Sequence, residues 1–336
     1  MKRFLPVLLI GILSLQLFTG CSVFSGGEDS SAETSVSAEE RDYAFFTELY
    51  DTADLYPKPY AASHHLCVTE NKDVVLSGYE VSGIDGATGL FDLTDETVLE
   101  ASNIFTQLSP ASTTKVMTAY IVLSQGNLDD VVTVGEDLNS LDPGSSVAGL
   151  AVGDQLTVLD LLYALMLPSG NDAAVALADY IGGTQENFVN IMNETAASLM
   201  CSGTHYENPH GLDVQSHFMT AYDLYLIFSA CLSYDTFKTI IDTPSYTAAI
   251  THADGTQQMM TWEATNYYFQ GKADPPANVS ILGGKTGTTD AAGSCLILYS
   301  KDQSGREFVS VIMGAKTKSD LYSNMTALLS AIPPAS

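Results

Sequence analysis

The amino-acid sequence predicts an α+β domain in which helices pack against an antiparallel sheet. Helical periodicity dominates the middle of the chain, and short runs rich in Ile, Leu and Val dominate its later part. Separate stretches of helix and strand are typical of α+β proteins, whereas regular alternation of the two would indicate a parallel sheet. A chain of 336 residues is also long enough to bury a large core.

Five segments of the chain have helical character. Apolar side chains recur at helical spacing in the first of them, as at Val116, Tyr120 and Leu123. Pro168 marks the end of the second, because proline cannot continue a helix. The predicted helices cover residues 111–123, 158–166, 172–181, 186–200 and 319–332.

Two short apolar runs, residues 295–299 and 308–313, predict a β-hairpin, since a turn-forming sequence over residues 301–305 separates them. Ile281 and Leu282 predict a strand beside this hairpin. Helices in the middle and antiparallel strands at the end together indicate the α+β class.

Composition excludes several classes of function. The chain has 13 Lys and Arg against 40 Asp and Glu, a formal net charge of −27. Such a polyanion lacks the clustered basic residues that hold nucleic acid, so we expect no nucleic-acid partner. It is also not attracted to an anionic membrane by charge. With 46% hydrophobic and 16% charged residues, the chain is not intrinsically disordered.

The amino terminus has the pattern of an export signal. Lys2 and Arg3 precede an apolar run that ends at Phe18, and a small residue then stands before Cys21. A cysteine in that place resembles a lipoprotein processing site, so we expect residues 1–20 to be a lipoprotein-type signal peptide and Cys21 to be lipidated. An uncleaved membrane anchor is the alternative, because the run is near the lower length limit for a span.

Residues 21–42 are rich in Ser, Gly and Glu and have no apolar period, which predicts a flexible acidic linker. The folded domain is then expected over residues 43–336. Either form of anchor would tether this domain to the outer face of the cell membrane after export, and a diacyl anchor supplies the two chains that stable attachment needs.

The cysteines and histidines do not form a metal-site pattern. No CxxC occurs among the five cysteines, which argues against zinc and thioredoxin-type sites. Apart from Cys21, four widely spaced cysteines remain, and buried free thiols are favoured over one or two disulfides. The six histidines do not pair with acidic residues at metal-ligand spacing, so we expect no metal.

Three short motifs are candidates for chemistry, and Ser112 with Lys115 is the first. The two residues are three apart at the start of a predicted helix, so that hydroxyl and amine share one face. The positive end of a helix favours an alkoxide, and a lysine buried beside a second cation can act as a base. Taken alone, a serine at a helix start is equally consistent with a cap.

The second motif is Ser169 and Asn171 in an S-x-N sequence, which by itself also fits a loop and helix cap. The third follows two glycines and consists of Lys285, Thr286, Gly287 and Thr288. It is not a phosphate-binding P-loop, because Val279 stands where that motif needs its first glycine. Small residues and hydroxyls on a strand edge suit an extended ligand, and Lys285 is expected to supply a fixed charge for a carboxylate.

In this order, the three motifs are those of penicillin-binding proteins and class A β-lactamases. The sequence resembles the serine D-alanyl-D-alanine carboxypeptidases, the low-molecular-mass penicillin-binding proteins, from about Gly89 to Ile332. The resemblance extends beyond the motifs to segments such as PASTTKVMTAYIVL, GTHYENPHGL and GGKTGTTDAAGSCL. It implies a β-lactamase/DD-peptidase-like fold, an antiparallel sheet flanked by helices with a mostly helical subdomain, and a serine DD-peptidase catalytic domain over residues 43–336.

The resemblance also implies a mechanism. Ser112 attacks the carbonyl between the last two D-alanines of a peptidoglycan stem peptide, and Lys115 takes its proton. Ser169 relays a proton to the leaving amine, within a polar network that includes Asn171 and Lys285. Water then hydrolyses the acyl-enzyme, and no metal or organic cofactor is needed. β-Lactams would mimic the substrate and leave Ser112 acylated.

For binding, the resemblance implies that the tetrahedral oxyanion lies between the backbone N–H groups of Ser112 and Thr288. The substrate-binding residues are Thr286, Gly287 and Thr288, and the two threonine hydroxyls would hold the terminal carboxylate. Many relatives add an arginine near the end of the sheet, where this chain has Lys316 and Lys318. Lysine cannot grip a carboxylate in the bidentate manner of arginine, so we do not include these two lysines in the predicted site.

Residues 64–86 depart from the family pattern and predict an extra strand and loop ahead of the usual first strand, which lies near Leu90. Two alternative functions also remain. A class A β-lactamase needs a glutamate that activates water, and Glu186 begins an E-x-x-x-N sequence, although it follows Ser169 too closely and falls inside a predicted helix. A tethered β-lactam sensor with little turnover would use the same three motifs.

Overall fold

The computed structural model describes residues 66–70 and 72–334. The predicted signal peptide, the lipidation site at Cys21 and the linker over residues 21–42 lie outside the described residues. The predicted catalytic domain begins at residue 43, and its structure is described from residue 66 onward.

Two antiparallel sheets form in the described part of the chain. The strands are β1 (Ile84–Asp92), β2 (Thr97–Ser102), β3 (Val131–Thr133), β4 (Gln155–Thr157), β5 (Ser245–Thr251), β6 (Gln257–Glu263), β7 (Val279–Thr289), β8 (Gly293–Asp302) and β9 (Glu307–Ala315). The larger sheet has the order β2-β1-β9-β8-β7, and the smaller has the order β3-β4-β5-β6. β7, which contains the third motif, therefore lies at an edge of the larger sheet.

The five predicted helices are confirmed, and the described part of the chain contains two further helices. In chain order, the helices of that part are α1 (Lys115–Gln125), α2 (Val158–Met166), α3 (Asn171–Gly182), α4 (Gln185–Ser198), α5 (Ala221–Cys231), α6 (Asp235–Ile241) and α7 (Lys318–Ser330). The two further helices are α5 and α6. The helix predicted from residue 111 begins with a 3₁₀ turn, Ala111–Thr114, which continues into α1. α5 lacks an amphipathic signal because it is buried on nearly all sides.

Both faces of the larger sheet are buried. Side chains alternate along a strand, and Leu296 and Leu298 of β8 belong to a core that α7 completes. The neighbouring Ile297 and Tyr299 belong to a second core, which also contains α1, α2, α3 and α5. With both faces covered, a ligand can meet this sheet at its edge strands, β2 and β7.

The predicted hairpin is confirmed as β8 and β9, and the strand predicted at residues 281–282 is the longer β7. The prediction of a mostly helical subdomain omitted the smaller sheet. Two of its strands are only three residues long, and β4 meets β5 at the single pair Gln155 and Thr251. Strands of three residues have no measurable alternation, which explains why the sequence does not indicate β3 and β4.

The extra strand predicted for residues 64–86 is wrong for the described residues of that region. Val74 forms one isolated antiparallel bridge with Ala101, next to the edge strand β2. Residues 84–86 belong to β1 itself, which pairs along its length with β9. The segment therefore lies along an existing sheet instead of adding a regular strand.

The preference for buried free thiols is confirmed for the four cysteines of the described part, which are buried and unbridged: Cys67, Cys201, Cys231 and Cys295. Within the part of the chain that the structure describes, no single helix has the length and apolar composition of a membrane span. α5 and α6 meet those criteria only as a pair with a bend of 114° between them.

Candidate active site

A cavity of about 300 Å³ lies between the edge strand β7 and the helices. It is where the three sequence motifs meet, although they are far apart in the chain. Residues of all three motifs line it: Ser112, Ser169, Asn171, Thr286, Gly287 and Thr288.

The 3₁₀ turn before α1 presents Ser112 to this cavity. Ala111 has φ +48°, a left-handed conformation that costs a non-glycine residue about 1–3 kcal/mol. The Thr113 hydroxyl holds the turn by donating to the Pro110 carbonyl at 2.6 Å. A Cβ on Gly287 would lie 3.0 Å from the Ser112 nitrogen, so glycine lets β7 approach the Ser112 backbone. This contact brings the third motif against the first.

Lys115 is fully buried, and its Nζ has three oxygen partners. It lies 3.1 Å from Ser112 Oγ, 2.6 Å from Asn171 Oδ1 and 2.8 Å from the His210 carbonyl oxygen. The amide oxygen of Asn171 and the carbonyl oxygen of His210 can only accept. A neutral amine donates its two protons to them, and its lone pair then points to the Ser112 hydroxyl. The geometry is that of a base beside a nucleophile.

Ser169 and Asn171 stand on either side of the start of α3. Ser169 has φ +64°, and its Oγ accepts a hydrogen bond from Lys285 Nζ at 2.9 Å. Asn171 is the first residue of α3, and its backbone N–H donates to the Ser146 carbonyl at 2.8 Å. The second motif therefore connects to Lys115 through Asn171 and to Lys285 through Ser169.

Burial weakens the hold of both lysines on their protons. The pKa of Lys115 lies well below its ordinary value because the side chain is desolvated and Lys285 is close, while Asp172 acts in the opposite direction. Burial lowers the pKa of Lys285 to about 7. Both lysines therefore lose a proton more readily than an exposed lysine, and Lys285 is protonated for part of the time near neutral pH.

Lys285 is not among the residues that line the cavity, so its expected role as a fixed charge for a carboxylate stays a prediction. Besides Ser169, its Nζ donates to the Thr286 carbonyl at 2.8 Å, so the group lies behind the cavity wall. The lysine that lines the cavity is Lys318, together with Tyr267 and Tyr322. Lys316 is exposed and pairs with Asp85 at 3.0 Å, which directs it away from this role.

Residues 85–317 match the family model of the D-alanyl-D-alanine carboxypeptidases. The chain belongs to this family. The match covers both sheets and all the motif residues, and it agrees with the family resemblance that the motifs indicate.

Two curated members of the carboxypeptidase family illustrate the similarity. DacC of Escherichia coli strain K12 is 35% identical over 249 residues, which cover 71% of this chain and 59% of that protein. The D-alanyl-D-alanine carboxypeptidase of Streptomyces sp. strain K15 is 34% identical over 235 residues, which cover 67% of this chain and 78% of that protein. The chain spans about three fifths of the length of DacC and of the two DacD proteins it matches.

Solved structures confirm the predicted fold. The crystal structure of the Streptomyces K15 DD-transpeptidase superimposes with a TM-score of 0.69 at 31% identity, covering 75% of this chain and 98% of that one. The D-alanyl-D-alanine carboxypeptidase of Mycobacterium tuberculosis H37Rv gives a TM-score of 0.67 at 28% identity, with coverages of 78% and 97%. The α+β DD-peptidase-like fold is therefore that of the carboxypeptidase family.

Three participants in this carboxypeptidase-family site were not predicted from the sequence. The His210 carbonyl is a backbone atom and leaves no residue-type signal. Thr265 meets Thr286 through their hydroxyl oxygens at 2.6 Å, from a segment with no motif. Asp172 does have a signal in the sequence, since it directly follows Asn171 of the second motif.

A histidine clamp holds the segment after α4 against the nucleophile's turn. The Glu207 N–H donates to His217 Nδ1 at 3.2 Å, so the ring proton is on Nε2, which donates to Thr114 Oγ1 at 3.0 Å. Burial lowers the pKa of His217 to about 4. Only the neutral ring can make both contacts.

Replacing His217 by glutamine is expected to reduce the acid sensitivity of the fold. The folded pKa lies below the unfolded value of about 6.5, so the stabilisation is complete above pH 6.5 and is lost as the pH falls towards 4. The H217Q side chain retains a donor for Thr114 but cannot titrate. The difference in unfolding free energy between wild type and H217Q should narrow by about 2 kcal/mol from pH 7 to pH 5 in urea titrations.

H205Q is the matched control, because His205 is half-buried and its ring pairs with Glu207 at 3.2 Å. H205Q retains His217, so its stability should still fall between pH 7 and pH 5. Equal pH slopes for H217Q and wild type would contradict the role of His217.

Proposed function

We propose that this chain is a serine-type D-Ala-D-Ala carboxypeptidase, which removes the terminal D-alanine from peptidoglycan stem peptides through an acyl-enzyme on Ser112. One observation carries the proposal: the buried Lys115 Nζ lies 3.1 Å from Ser112 Oγ while two obligatory acceptors occupy its own protons. Membership of the carboxypeptidase family supports the same substrate class.

Acylation begins when Ser112 Oγ attacks the carbonyl carbon of the bond between the two D-alanines. Lys115 takes the hydroxyl proton, and a tetrahedral oxyanion forms, for which the backbone N–H groups of Ser112 and Thr288 remain the predicted donors. Collapse of this intermediate breaks the C–N bond. Ser169 protonates the leaving nitrogen and takes a proton from Lys285, with which it shares a 2.9 Å hydrogen bond.

The proton balance suits a pair of buried lysines. During acylation Lys115 gains one proton and Lys285 loses one, so the site keeps its total charge while one positive charge changes position. Two full charges in a desolvated site would be costly, as their lowered pKa values indicate. Water then attacks the ester and gives up a proton that restores the charge on Lys285, while Lys115 returns its proton to Ser112 Oγ and the shortened peptide leaves. These steps use side chains of the protein and need no cofactor.

Substrate binding requires a partner for the terminal carboxylate. Thr286 and Thr288 offer hydroxyls on the edge strand, and Lys318 supplies a cation in the same cavity. Lys318 is the first residue of α7, where a positive charge opposes the helix dipole. A lysine at the start of a helix is locally unfavourable, and an unfavourable residue that lines a cavity is typical of a functional position.

Replacement of Lys318 by glutamine should lower kcat/KM for a diacyl-L-Lys-D-Ala-D-Ala peptide by about 10–100-fold, the range expected for one charged hydrogen bond. The loss should vanish for a substrate whose terminal carboxylate is amidated, because that substrate has no charge to bind. D-Alanine or D-alaninamide release measures both rates.

The matched control is K316Q, which removes the same charge two residues away from a lysine already paired with Asp85. Its kcat/KM should stay within about twofold of wild type. Equal losses in K316Q and K318Q would show a general effect of surface charge and would exclude Lys318 as the carboxylate partner.

The proposal extends to location and inhibition. Export by the residues 1–20 signal, lipidation at Cys21 and tethering at the outer face of the cell membrane would place the domain beside its peptidoglycan substrate. β-Lactams would acylate Ser112 as substrate analogues and remain bound covalently. The sequence pattern at the amino terminus supports the first part, and the motif geometry supports the second.

The β-lactamase alternative is weakened by the position of Glu186. This residue lies in the first turn of α4 and lines a different cavity, which it shares with His205 and Pro209. A class A enzyme needs its glutamate beside the nucleophile, where it activates the deacylating water. A β-lactam sensor would share the geometry of Ser112 and differs only in turnover.

One assay separates the three functions. Residues 42–336 are purified and given the diacyl-L-Lys-D-Ala-D-Ala peptide and, separately, a fluorescent penicillin. We expect catalytic D-alanine release and long-lived labelling. Labelling without D-alanine release would indicate a sensor, and rapid loss of label with penicillin turnover would indicate a β-lactamase.

A further inference from the structure

Asp172 carries a buried carboxylate that the proposed chemistry does not use. It follows Asn171 in the first turn of α3 and is 1% exposed. Each of its two oxygens accepts two hydrogen bonds from backbone N–H groups. The donors are Ala148 at 2.8 Å and Ala173 at 2.9 Å to Oδ1, and Gly149 at 2.8 Å and Leu150 at 3.0 Å to Oδ2.

Three of these donors belong to one loop, which forms a rim of the active-site cavity. Its residues Gly144, Ser145 and Ser146 line the cavity together with the motif residues. The Asn171 N–H also donates to the Ser146 carbonyl at 2.8 Å. One carboxylate therefore joins the rim loop to the helix turn that presents Asn171 to Lys115.

The central glycine of the S-x-N motif, Gly170, allows this carboxylate to lie close to the backbone. A Cβ on Gly170 would lie 2.6 Å from Asp172 Oδ1, 2.8 Å from the Ala164 carbonyl oxygen and 2.9 Å from the Ala148 Cβ. The backbone at Gly170 has φ −61° and ψ 119°, which other residues adopt readily. The glycine is needed for close approach and not for an unusual backbone conformation.

Asp172 is also the negative neighbour of the base. The groups whose charges act on Lys115 are Lys285 and Asp172, and His210 nearby is neutral because burial lowers its pKa to about 3. Lys285 favours loss of the Lys115 proton, and Asp172 opposes that loss. Without the carboxylate, Lys115 would be a weaker base.

We propose that Asp172 is a positioning residue for acylation, which holds the rim loop and Asn171 in place and strengthens Lys115 as a base through its negative charge. This inference rests on the proposed function, since it assumes that Ser112 is acylated with Lys115 as base. It assigns a role to a residue outside the three motifs.

The test is D172N, with the second-order rate of acylation by a fluorescent penicillin measured from pH 5 to pH 10. The carboxamide turns two N–H donors towards backbone N–H groups, so the rim should shift. A displacement of about 1 Å can cost on the order of 10²-fold in rate, and we expect the plateau rate to fall about 10–100-fold. Loss of the negative charge should also move the acid limb of the profile to lower pH.

G170A displaces the same carboxylate without removing its charge, and it is available if D172N folds poorly. Its plateau rate should fall while its acid limb stays at the wild-type pH. D154N is the matched control, because Asp154 is likewise buried and accepts the Ala151 N–H at 2.9 Å near the end of the same loop, while its other partner, His252 at 2.7 Å, does not line the cavity. Its plateau should stay within about threefold of wild type, with an unmoved limb.

The outcomes separate this inference from the function on which it rests. Wild-type protein that is not acylated at any pH would refute the proposed function. If the wild type is acylated, an acid limb of the D172N pH profile at the wild-type pH would show that Asp172 has only a structural role. That result would overturn the inference. Unchanged plateau rates in D172N and G170A would overturn the positioning role.

Discussion

Replacing Ser112 by alanine is expected to abolish penicillin labelling and to reduce D-alanine release to background. The hydroxyl oxygen is the atom that becomes acylated, and alanine leaves Lys115 with no proton to take. Loss of a nucleophilic serine costs about 10⁶-fold in kcat in a serine hydrolase of another fold. Labelling on a gel and coupled detection of D-alanine measure the two effects.

S124A is the matched control for this change, because Ser124 lies on the same helix and only donates to the Ile121 carbonyl at 2.9 Å. It should label and turn over like wild type. Residual labelling of S112A at a rate within tenfold of wild type would show that another residue is acylated, and the assignment of the nucleophile would then be wrong.

Replacing Lys115 by arginine should collapse acylation while the protein still folds. Arginine remains protonated at any pH compatible with folding, so it cannot take the Ser112 proton. It can still donate to Asn171 and to the His210 carbonyl, the two acceptors that Lys115 satisfies. General base catalysis contributes about 10²–10⁴-fold, and we expect a loss of this size in the acylation rate.

The acylation rate of K115R should also lose the acid limb of its pH profile, since the titrating base is gone. K301R is the control, because Lys301 is partly exposed and pairs with Glu307 at 3.2 Å on the surface. Near wild-type acylation in K115R would exclude Lys115 as the base. A far-UV spectrum and a thermal unfolding midpoint close to those of wild type show that folding survives.

The sequence predicted those helices and strands whose apolar pattern can be read from neighbouring residues alone. α1 and α2 have apolar side chains at helical spacing, and β8 and β9 are apolar runs on either side of a short turn. α5 is buried on nearly all sides, and β3 and β4 are three residues long, so none of them has a readable period. Their positions depend on partners far away in the chain.

The site shows the same division. Its three motifs were recognisable because each combines chemically active residue types at short spacing. The sequence could not show whether Lys316 or Lys318 lies in the site. That depends on which lysine pairs with Asp85 and which one lines the cavity. The position of Lys285 behind the cavity wall, with its pKa lowered to about 7, likewise follows from burial.

Residue type and local periodicity were sufficient for the α+β class and for the family resemblance, which in turn implies Ser112 and Lys115 as the candidate nucleophile and base. Folding alone revealed that the His210 carbonyl and Asn171 hold the Lys115 amine, and that Asp172 joins the rim loop to the second motif. The physical reason is that an ammonium or a carboxylate acts through the groups around it in space. Those groups come from elements whose order in the chain leaves no local pattern.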